Sequence, residues 1–465
     1  MNRPLAHGSA TQAFVGTSVA VIGLGASGSA AARLALAKGG EVYVSDLRTD
    51  PATSARGAEL EAVGARVELG RHDTERLARA GVVVVSPGIP PDAPVLRRLS
   101  DRGVGWISEP EFAVRFYSGS LIALTGTNGK TTTVLLAGQL LASSGIAAAV
   151  GGNVGGGLAP AASELALLDT APAWYVLELS SFQLAGIERL RPDIGVITNL
   201  APDHLDRYPS ADAYYADKAR LFRNGDDRSI WVLPHGDARI ESLAGDTPGA
   251  RYHFGGTAED GSHAYVADGV MTLDVAGQPE ALLPVNELPL LGRHNVMNAL
   301  AAALTARLAG AGRDGIAEGL RAARALPHRM EPVLERGGVL WVNDSKATNV
   351  SATLSALASL DRPVVALLGG KDKGEAFADL AETLARCARA VVTFGSAGPR
   401  IAESLEDSVD VVRLGDDFKA VVERASELAR PGDIVLLSPA CSSFDMFDDY
   451  EERGRVFTET VREVA

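Results

Sequence analysis

The stretch LIALTGTNGKTTTVLLAG, residues 121–138, indicates a strand, a tight turn and a helix in immediate succession. LIALT is an apolar run of strand type, the run after Lys130 is rich in leucine and alanine, and a glycine-rich turn separates them. Such a turn presents successive backbone N–H groups at a helix N-terminus, where they bind phosphate. A standard P-loop has a glycine at the position of Leu124, so this is a shortened form of that loop.

The side chains of the turn support the same interpretation. Lys130 would place a cation against the β- and γ-phosphate oxygens of a nucleotide, and the Thr131 hydroxyl can bind Mg²⁺. A glycine-rich turn with an exposed lysine that binds nothing is the structural alternative. The predicted ATP-binding positions of the turn are Gly126, Thr127, Asn128, Gly129, Lys130, Thr131 and Thr132.

The same alternation of strand-like and helix-like runs extends in both directions from the turn. The strand-like runs include VAVIG (19–23), EVYVSD (41–46), VVVVSPG (82–88), YVLELS (175–180), IGVITN (194–199), VVALLGG (364–370), AVVTFG (390–395) and DIVLLSP (433–439). This alternation predicts an α/β protein with parallel sheets covered by helices. From about Arg251 to Leu291 a long helical run is missing, and we expect an antiparallel insertion or a small secondary sheet there.

The length of 465 residues corresponds to about three domains, each large enough to bury its own core. Pro110 and Gly119 mark one junction near residues 109–118, and the region of Pro327, where a helical run ends before LWVND, marks another. The predicted domains are therefore residues 1–110, 111–325 and 326–465.

The composition excludes several classes of protein. There are 44 Lys and Arg residues against 58 Asp and Glu residues, which gives a net charge of −14, so general attraction to nucleic acid or an anionic membrane is not expected. No apolar run approaches the roughly 18 residues of a membrane span, and no signal peptide is evident, so we expect a cytoplasmic monomer. Cys387 and Cys441 lack a CxxC context, which indicates neither a disulfide framework nor a zinc site.

A second glycine motif, GLGASG at residues 23–28, lies between a strand-like and a helix-like run. Asp46 ends the next strand-like run, which matches the spacing of a dinucleotide-binding fingerprint. The glycines allow close approach to a phosphate, and the carboxylate would accept a hydrogen bond from a sugar or base. These residues alone leave three alternatives open: the turn binds NAD(P) or FAD, it binds another nucleotide, or it is purely structural.

Two polar residues lie at the carboxyl ends of strand-like runs in the same region as the P-loop. Glu178 lies in LELSSFQL (177–184) and His204 lies in NLAPDHLDRYP (199–209). Because ligand-facing side chains gather at the carboxyl edge of a parallel sheet, these residues and Thr131 would form a Mg²⁺ site. A capping glutamate and a buried structural histidine are the alternatives, and Lys218 by itself has the pattern of a solvated surface lysine.

The last third of the chain also places polar residues just after strand-like runs. Asp344 and Lys346 lie in WVNDSKATN (341–349), and Lys373 lies in LLGGKDKG (367–374). With the arginine of PHRME (327–331), the two lysines would bind a carboxylate or a phosphate. Ser442 and Ser443 lack the GxSxG context of a serine hydrolase, so that class of enzyme is not indicated.

Taken together, these motifs resemble those of the Mur ligase family of ATP-dependent amide-forming enzymes over essentially the whole chain. In chain order they are GLGASG, SPGIP, TGTNGKTT, GGNVG, LELSSFQL, DHLDRY, HNVMNALAA, PHRME, NDSKATN, LLGGKDKG and LSPACSSFDMF. TGTNGKT alone is typical of the wider family, which includes folylpolyglutamate synthetases. GLGASG with SPGIP, and NDSKATN with SPACSSFDMF, indicate the branch that attaches D-glutamate to UDP-N-acetylmuramoyl-L-alanine.

The resemblance implies a Rossmann-like first domain for the UDP moiety, a central P-loop domain and a Rossmann-like C-terminal domain. The positions it implies for the UDP substrate are Gly25, Ala26, Ser27, Asp46, Arg48, Ser86, Gly88, Asn153, Gln183 and His204. Beyond the P-loop, those implied for ATP are Asn298, Arg329 and Asp344. Those implied for D-glutamate are Thr348, Lys373, Ser443, Phe444 and Tyr450. Two Mg²⁺ ions would be held by Thr131, Glu178, His204 and a carbamylated Lys218.

The implied reaction joins the alanyl carboxylate to the amine of glutamate through an acyl phosphate, with release of ADP and phosphate. Its implied catalytic residues are Lys130, His204, Lys218, Lys346 and Lys373. Three alternatives stay open: a sibling ligase that uses L-glutamate or another acceptor, a non-catalytic nucleotide-binding module, and an NAD-dependent oxidoreductase built on GLGASG. An oxidoreductase would not explain the P-loop, Glu178 or His204.

Overall fold

The computed structural model describes residues 14–90, 92–155, 157–204 and 207–464. The chain forms two compact units, Met1–Val285 with Asn298–Leu320, and Asn286–Met297 with Arg321–Ala465. Each contains parallel strands covered by helices, and three sheets occur in the described residues. The predicted α/β class is confirmed. Within this part of the chain, no helix has the length and apolar character of a membrane span.

The first sheet belongs to the first unit and is entirely parallel. Its strands are β1 (Ser18–Ile22), β2 (Glu41–Asp46), β3 (Arg66–Leu69), β4 (Val82–Val85) and β5 (Ile107–Ser108). The helices that alternate with them are α1 (Ala26–Ala37), α2 (Pro51–Ala62), α3 (Thr74–Arg79), α4 (Pro94–Ser100) and α5 (Glu109–Val114). The strand order is β3-β2-β1-β4-β5. The order reverses between β1 and β4, which is where doubly wound sheets bind ligands.

The second sheet, also in the first unit, has nine strands. They are β6 (Ser120–Thr125), β7 (Ala148–Gly152), β8 (Trp174–Glu178), β9 (Ile194–Ile197), β10 (Ile230–Pro234), β11 (Ala250–Phe254), β12 (Ala264–Ala267), β13 (Val270–Leu273) and β14 (Glu280–Pro284). The helices of this region are α6 (Lys130–Ser143), α7 (Ala162–Leu165), α8 (Ser181–Ala185), α9 (Ala211–Ala219), α10 (Ala238–Ala244), α11 (Arg293–Leu308) and α12 (Arg313–Arg321). The order is β14-β13-β12-β11-β10-β9-β6-β8-β7. Because β8 and β9 flank β6, the loops after all three strands share one edge.

The segment from Arg251 to Leu291 contains the antiparallel strands that the sequence predicts. Strands β12, β13 and β14 pair antiparallel, whereas β11 pairs parallel to both β10 and β12. The insertion therefore extends the main sheet instead of forming a separate one. An edge strand leaves unpaired backbone N–H and C=O groups, and these added strands cover that edge.

The third sheet belongs to the second unit. Its strands are β15 (Glu331–Arg336), β16 (Val339–Asn343), β17 (Val364–Gly369), β18 (Ala388–Phe394), β19 (Val411–Arg413) and β20 (Ile434–Leu437). Its helices are α13 (Val350–Ala358), α14 (Ala381–Cys387), α15 (Gly398–Leu405), α16 (Phe418–Leu428) and α17 (Tyr450–Val464). The order is β15-β16-β20-β17-β18-β19, and only the edge strand β15 runs antiparallel to its neighbour. The loops after β16, β20 and β17 are therefore neighbours.

Helix α5 packs the first two sheets of the first unit together. The buried Glu111 carboxylate accepts hydrogen bonds from the N–H groups of residues 188–190 at 2.8–3.1 Å. Phe112, fully buried, belongs to an apolar core that continues from strand β1 to strand β8. The segment 109–118, which the sequence marks as a junction, is thus mostly buried.

Candidate active site

The turn between β6 and α6 has a backbone that only glycine can adopt without strain. Gly126 has φ of 150° and Gly129 has φ of 78°. A Cβ at Gly126 would lie 1.9 Å from Thr198 Oγ1, and a Cβ at Gly129 would lie 2.1 Å from Asn298 Oδ1. Side chains from the loop after β9 and from α11 therefore lie directly against the turn, which explains the glycine spacing that the sequence shows.

The loop after β9 holds the turn in place. Thr198 Oγ1 donates to Asn128 O at 2.7 Å, and Asn199 Nδ2 donates to the same carbonyl at 3.0 Å. Asn199 Oδ1 accepts the Asn128 N–H at 3.0 Å, so the two asparagines are joined twice. The motifs did not predict a role for Thr198 and Asn199, although polar residues at the end of a strand-like run are a usable signal.

Thr131 and Glu178 meet at the first turn of α6. The Thr131 hydroxyl donates to Glu178 Oε2 at 2.8 Å, and Asn153 Nδ2 donates to Glu178 Oε1 at 3.3 Å. Thr131 and Glu178 are both buried. A hydroxyl beside a carboxylate is a hard-oxygen donor set that fits Mg²⁺. Lys130 lies at the same turn, where its Nζ donates to Thr127 O at 2.8 Å.

Lys218 on α9 is buried, with 1% of its surface exposed, and so differs from the solvated lysine that its pattern indicates. Its Nζ donates to Gly126 O at 2.7 Å and lies 4.6 Å from the centre of the Tyr214 ring. Burial, with a smaller contribution from Lys130, lowers the pKa of Lys218 well below its usual value. The amine is thus held against the P-loop in an environment that favours its neutral form.

Tyr214 links several members of this site and was missed by the sequence analysis. Its hydroxyl donates to Thr127 Oγ1 at 3.3 Å, and its ring centre lies 5.9 Å from that of His204. His204 follows β9 with φ of 55°, and its ring also packs on Phe182 at 5.2 Å. No sequence motif distinguishes Tyr214 from the adjacent Tyr215, because the contacts come from distant loops.

The glycine turn after β1 is held from two sides. Ser86 Oγ, after β4, donates to Gly23 O at 2.9 Å, and Asp46 Oδ2, at the end of β2, accepts the Leu24 N–H at 2.6 Å. A Cβ at Gly28 would lie 1.9 Å from Gly23 O. Two of the predicted substrate positions therefore also fix the shape of the turn.

The outer part of this turn is open. An added Cβ at Gly25 or Gly88 would meet nothing within 4 Å, Ala26 is exposed and Ser27 is half-buried. Among the described residues no side chain caps the N-terminus of α1, so no capping side chain competes with an anion for its first N–H groups.

Asp46 carries a charge beside this open turn. Burial raises the pKa of Asp46, but hydrogen bonds from the Arg48 side chain and from the N–H groups of Leu24 and Arg48 outweigh that effect, so the pKa is lowered. Arg48 Nη2 donates to Asp46 Oδ2 at 2.9 Å, while half of the Arg48 side chain stays exposed.

Gln183 has a structural role in α8. Its Oε1 accepts the Ser180 N–H at 3.0 Å while its own N–H donates to Ser180 Oγ at 3.2 Å, which forms a capping box. Gln183 is 1% exposed, and its Nε2 has no hydrogen-bond partner among the described residues.

The second unit brings Asp344 to the carboxyl end of β16. Its Oδ2 accepts the Ser438 hydroxyl at 2.9 Å and its Oδ1 accepts the Met330 N–H at 3.2 Å. Burial raises the pKa of Asp344 to about 7 against these hydrogen bonds and the charge of Arg329. The segment that carries Arg329 is bent by two left-handed residues, His328 with φ of 62° and Met330 with φ of 44°.

The predicted lysines and aromatic residues of the second unit lie around the same edge. Lys346 Nζ lies 3.7 Å from the centre of the Tyr450 ring, within cation–π range. Lys373 and Phe444 are exposed, Thr348 and Tyr450 are half-buried, and Ser443 is buried.

Arg453 on α17 is a further residue that the sequence analysis missed. It is fully buried, and it donates to Ser345 O at 2.9 Å and to Cys441 O at 3.1 Å. Burial lowers the pKa of Arg453 to about 10. The side chain joins the loops after β16 and β20, which carry Lys346 and Ser443.

Three family models match successive parts of the chain. They describe a Mur ligase MurD-like N-terminal domain at residues 17–108, a Mur ligase middle domain at 124–306 and a Mur ligase glutamate ligase domain at 328–441. The curated relatives of the chain include two proteins named UDP-N-acetylmuramoylalanine–D-glutamate ligase. The protein of Acidobacterium capsulatum is 41% identical over 96% of both chains, and that of Anaeromyxobacter dehalogenans is 41% identical over 97% of this chain and 98% of its own.

The chain belongs to the Mur ligase family. A solved MurF ligase from Thermotoga maritima in complex with ADP has the same fold, with a TM-score of 0.59, 16% identity and coverage of 98% of this chain and 97% of its own. The resemblance inferred from the motifs is confirmed, and so is the prediction of an ATP-dependent carbon–nitrogen ligase. Membership in the Mur ligase family leaves the NAD-dependent oxidoreductase without support.

Proposed function

We propose that this Mur ligase adds D-glutamate to UDP-N-acetylmuramoyl-L-alanine, with hydrolysis of ATP to ADP and phosphate, in peptidoglycan precursor synthesis. The observation that carries the proposal is the buried pair of Thr131 and Glu178 at a P-loop, in a chain about 40% identical to relatives named for this reaction. We further propose that the protein acts in the cytoplasm as a monomer.

In this proposal residues 1–110 bind the UDP moiety. The uncapped N-terminus of α1 and the open space at Gly25 and Gly88 suit a diphosphate. Asp46 and Arg48 would face the nucleoside, and Ser27 and Ser86 would lie beside the phosphates. Asn153 and His204 would lie toward the muramoyl-alanine end, whereas Gln183, as a buried capping residue, would act there by shaping the loop.

Residues 111–325 would bind ATP and the metal. The N–H groups from Gly126 to Thr132 would surround the phosphates, and Asn298, which packs on Gly129, would lie near the adenine. Thr131 and Glu178 would hold Mg²⁺, which when bound would neutralise charge on the phosphate oxygens. His204 and a carbamylated Lys218 would hold a second ion. The lowered pKa of Lys218 supports the carbamate, because only the neutral amine reacts with CO₂.

Residues 326–465 would bind D-glutamate and the rest of ATP. Arg329 would contact phosphate and Asp344 the ribose. Because burial raises the pKa of Asp344 to about 7, a proton on this carboxyl would let it donate as well as accept a hydrogen bond. The amino-acid substrate would lie among Lys346, Thr348, Lys373, Ser443, Phe444 and Tyr450.

The reaction would proceed in two displacements. An oxygen of the alanyl carboxylate forms a bond to the γ-phosphorus as the bond to the β,γ-bridging oxygen breaks, and ADP leaves with that electron pair. The neutral amine of glutamate then adds to the acyl carbonyl carbon and gives a tetrahedral intermediate. That intermediate loses a proton from nitrogen and expels phosphate to leave the amide. Lys130 and the P-loop N–H groups would stabilise the charge of the first step, and Lys346 and Lys373 would orient the carboxylates of glutamate.

The test is phosphate release by the purified protein with Mg²⁺-ATP and UDP-N-acetylmuramoyl-L-alanine, with D-glutamate, L-glutamate or no amino acid, and product masses measured in parallel. We expect release and a glutamyl product only with D-glutamate. The same product with L-glutamate would assign the sibling activity. ATP binding without turnover in every mixture would favour the non-catalytic module and overturn the proposal.

A further inference from the structure

His72 lies outside every residue set discussed above and occupies the carboxyl edge of the first sheet. It belongs to the loop that joins β3 to α3, and a hydrogen bond of 2.8 Å joins its Nδ1 to Oγ of Ser45 on β2. The ring is half-buried. Burial lowers the pKa of His72 despite the opposing charges of Asp46 and Glu68, which favours the neutral ring.

The loop that carries His72 is fixed on both sides. Gly70 N–H donates to Asp46 O at 2.8 Å. Glu68 accepts the Tyr43 hydroxyl at 2.6 Å and also binds Arg71. Asp73 caps α3 by accepting N–H groups at 3.1 Å. The imidazole is therefore held by its neighbours before any ligand binds, and such rigidity favours specific recognition.

The topology places this ring on the nucleoside side of the open turn. A diphosphate at the N-terminus of α1 would lie where the strand order reverses, and the acidic residue that ends the second strand of such sheets faces the sugar. Asp46 is that residue. Since β3 is the next strand beyond β2, a base attached to that sugar would lie toward the loop of residues 70–73.

We propose that His72 is a specificity-determining residue that distinguishes uracil from other bases in the nucleotide substrate through its Nε2. The proposal rests on the UDP-binding role assigned above. Ser45 is fully buried and its hydroxyl lies 2.8 Å from Nδ1, so the hydroxyl donates to Nδ1 and the ring carries its proton on Nε2. In this orientation Nε2 presents one N–H donor to the base. Uracil and cytosine exchange donor and acceptor at N3 and at the 4-position, so a single oriented partner discriminates between them.

The test compares dissociation constants for UDP and CDP by calorimetry in the parent and in two variants of opposite design. In His72→Asn the amide nitrogen or oxygen can replace Nδ1 toward Ser45 but does not reach the position of Nε2. In His72→Gln the longer side chain reaches that position. His235→Phe, which removes an exposed imidazole of the same unit that follows β10, is the control.

We expect the parent and the control to prefer UDP by about tenfold, the value of one hydrogen bond. We expect His72→Asn to bring the ratio near one and His72→Gln to keep part of the preference. The opposite order, with the preference kept in His72→Asn, would assign His72 a packing role and overturn the inference, as would a parent that binds both nucleotides equally. A parent that binds neither would overturn the UDP site itself, which separates that failure from the failure of His72 alone.

Discussion

Substitution of Gly129 by alanine tests whether the shape of the P-loop turn depends on Asn298. In the structure a Cβ at Gly129 would lie 2.1 Å from Asn298 Oδ1, whereas ordinary contact begins at 3.4 Å, so the amide must move by about 1.3 Å. The backbone at this position also has φ of 78°. An alanine in that conformation costs about 1–2 kcal/mol, and overpacking of the buried Asn298 adds about 1–3 kcal/mol.

The matched control lies at the other end of the same helix. Gly145 follows α6 with φ of 73°, and a Cβ there would meet nothing within 4 Å. Gly145→Ala therefore has the strain of an alanine at positive φ but no steric overlap with a neighbouring side chain. Urea unfolding should give Gly129→Ala a free energy of unfolding about 1–3 kcal/mol below that of Gly145→Ala.

The functional difference between the two variants should be larger. A displacement near 1 Å in the phosphate-binding turn can lower the rate about 100-fold, so kcat/KM for ATP should fall by that factor in Gly129→Ala and stay at the parent value in Gly145→Ala. Steady-state phosphate release measures both. Equal stabilities and parent-like use of ATP in Gly129→Ala would refute the argument that the contact between Gly129 and Asn298 shapes the turn.

Three further changes have defined outcomes. Lys130→Ala should lower ATP-dependent turnover at least ~100-fold while the thermal midpoint stays at that of the parent, and near-parent activity would contradict its role. Burial raises the pKa of Glu109 from 4.5 to about 7, so the folded state binds more protons than the unfolded state between these values and stability falls as pH rises through them. The stability of Glu109→Gln relative to the parent should therefore increase by roughly 3 kcal/mol from pH 4 to pH 8, and a pH-independent difference in urea unfolding would contradict this. Arg453→Met should destabilise the second unit by roughly 2–5 kcal/mol, because the carbonyls of Ser345 and Cys441 lose their buried donor, and Arg453→Lys should restore part of the loss. An unchanged KM for D-glutamate in both Arg453 variants would show that the two loops keep their positions without it.

The turns that carry the candidate site residues were predictable, because parallel strands bring their carboxyl ends to one edge of the sheet. Thr131 follows β6 and Glu178 ends β8, and the structure joins them by a hydrogen bond of 2.8 Å. The antiparallel insertion was equally visible in the missing long helix. That it extends the main sheet was not visible, since the identity of the edge strand depends on the strand order.

Other features of the site depend on neighbours far along the chain. Lys218 has the local pattern of a surface residue but is buried under the P-loop. Arg453 lies in a charged helical segment and is buried between two distant loops. Side-chain burial is set by what packs over a helix, and residue types within one helix do not specify that.

The sequence by itself determined the alternation of strands and helices, the two glycine turns and the family, since each depends on residues that are adjacent or regularly spaced. The tertiary structure alone decided that Asn298 presses on Gly129, that Tyr214 joins Thr127 to His204, and that Ser45 holds the His72 ring. These contacts join segments that are distant in sequence. Packing brings the segments together, and buried polar groups then form hydrogen bonds with the groups that lie near them.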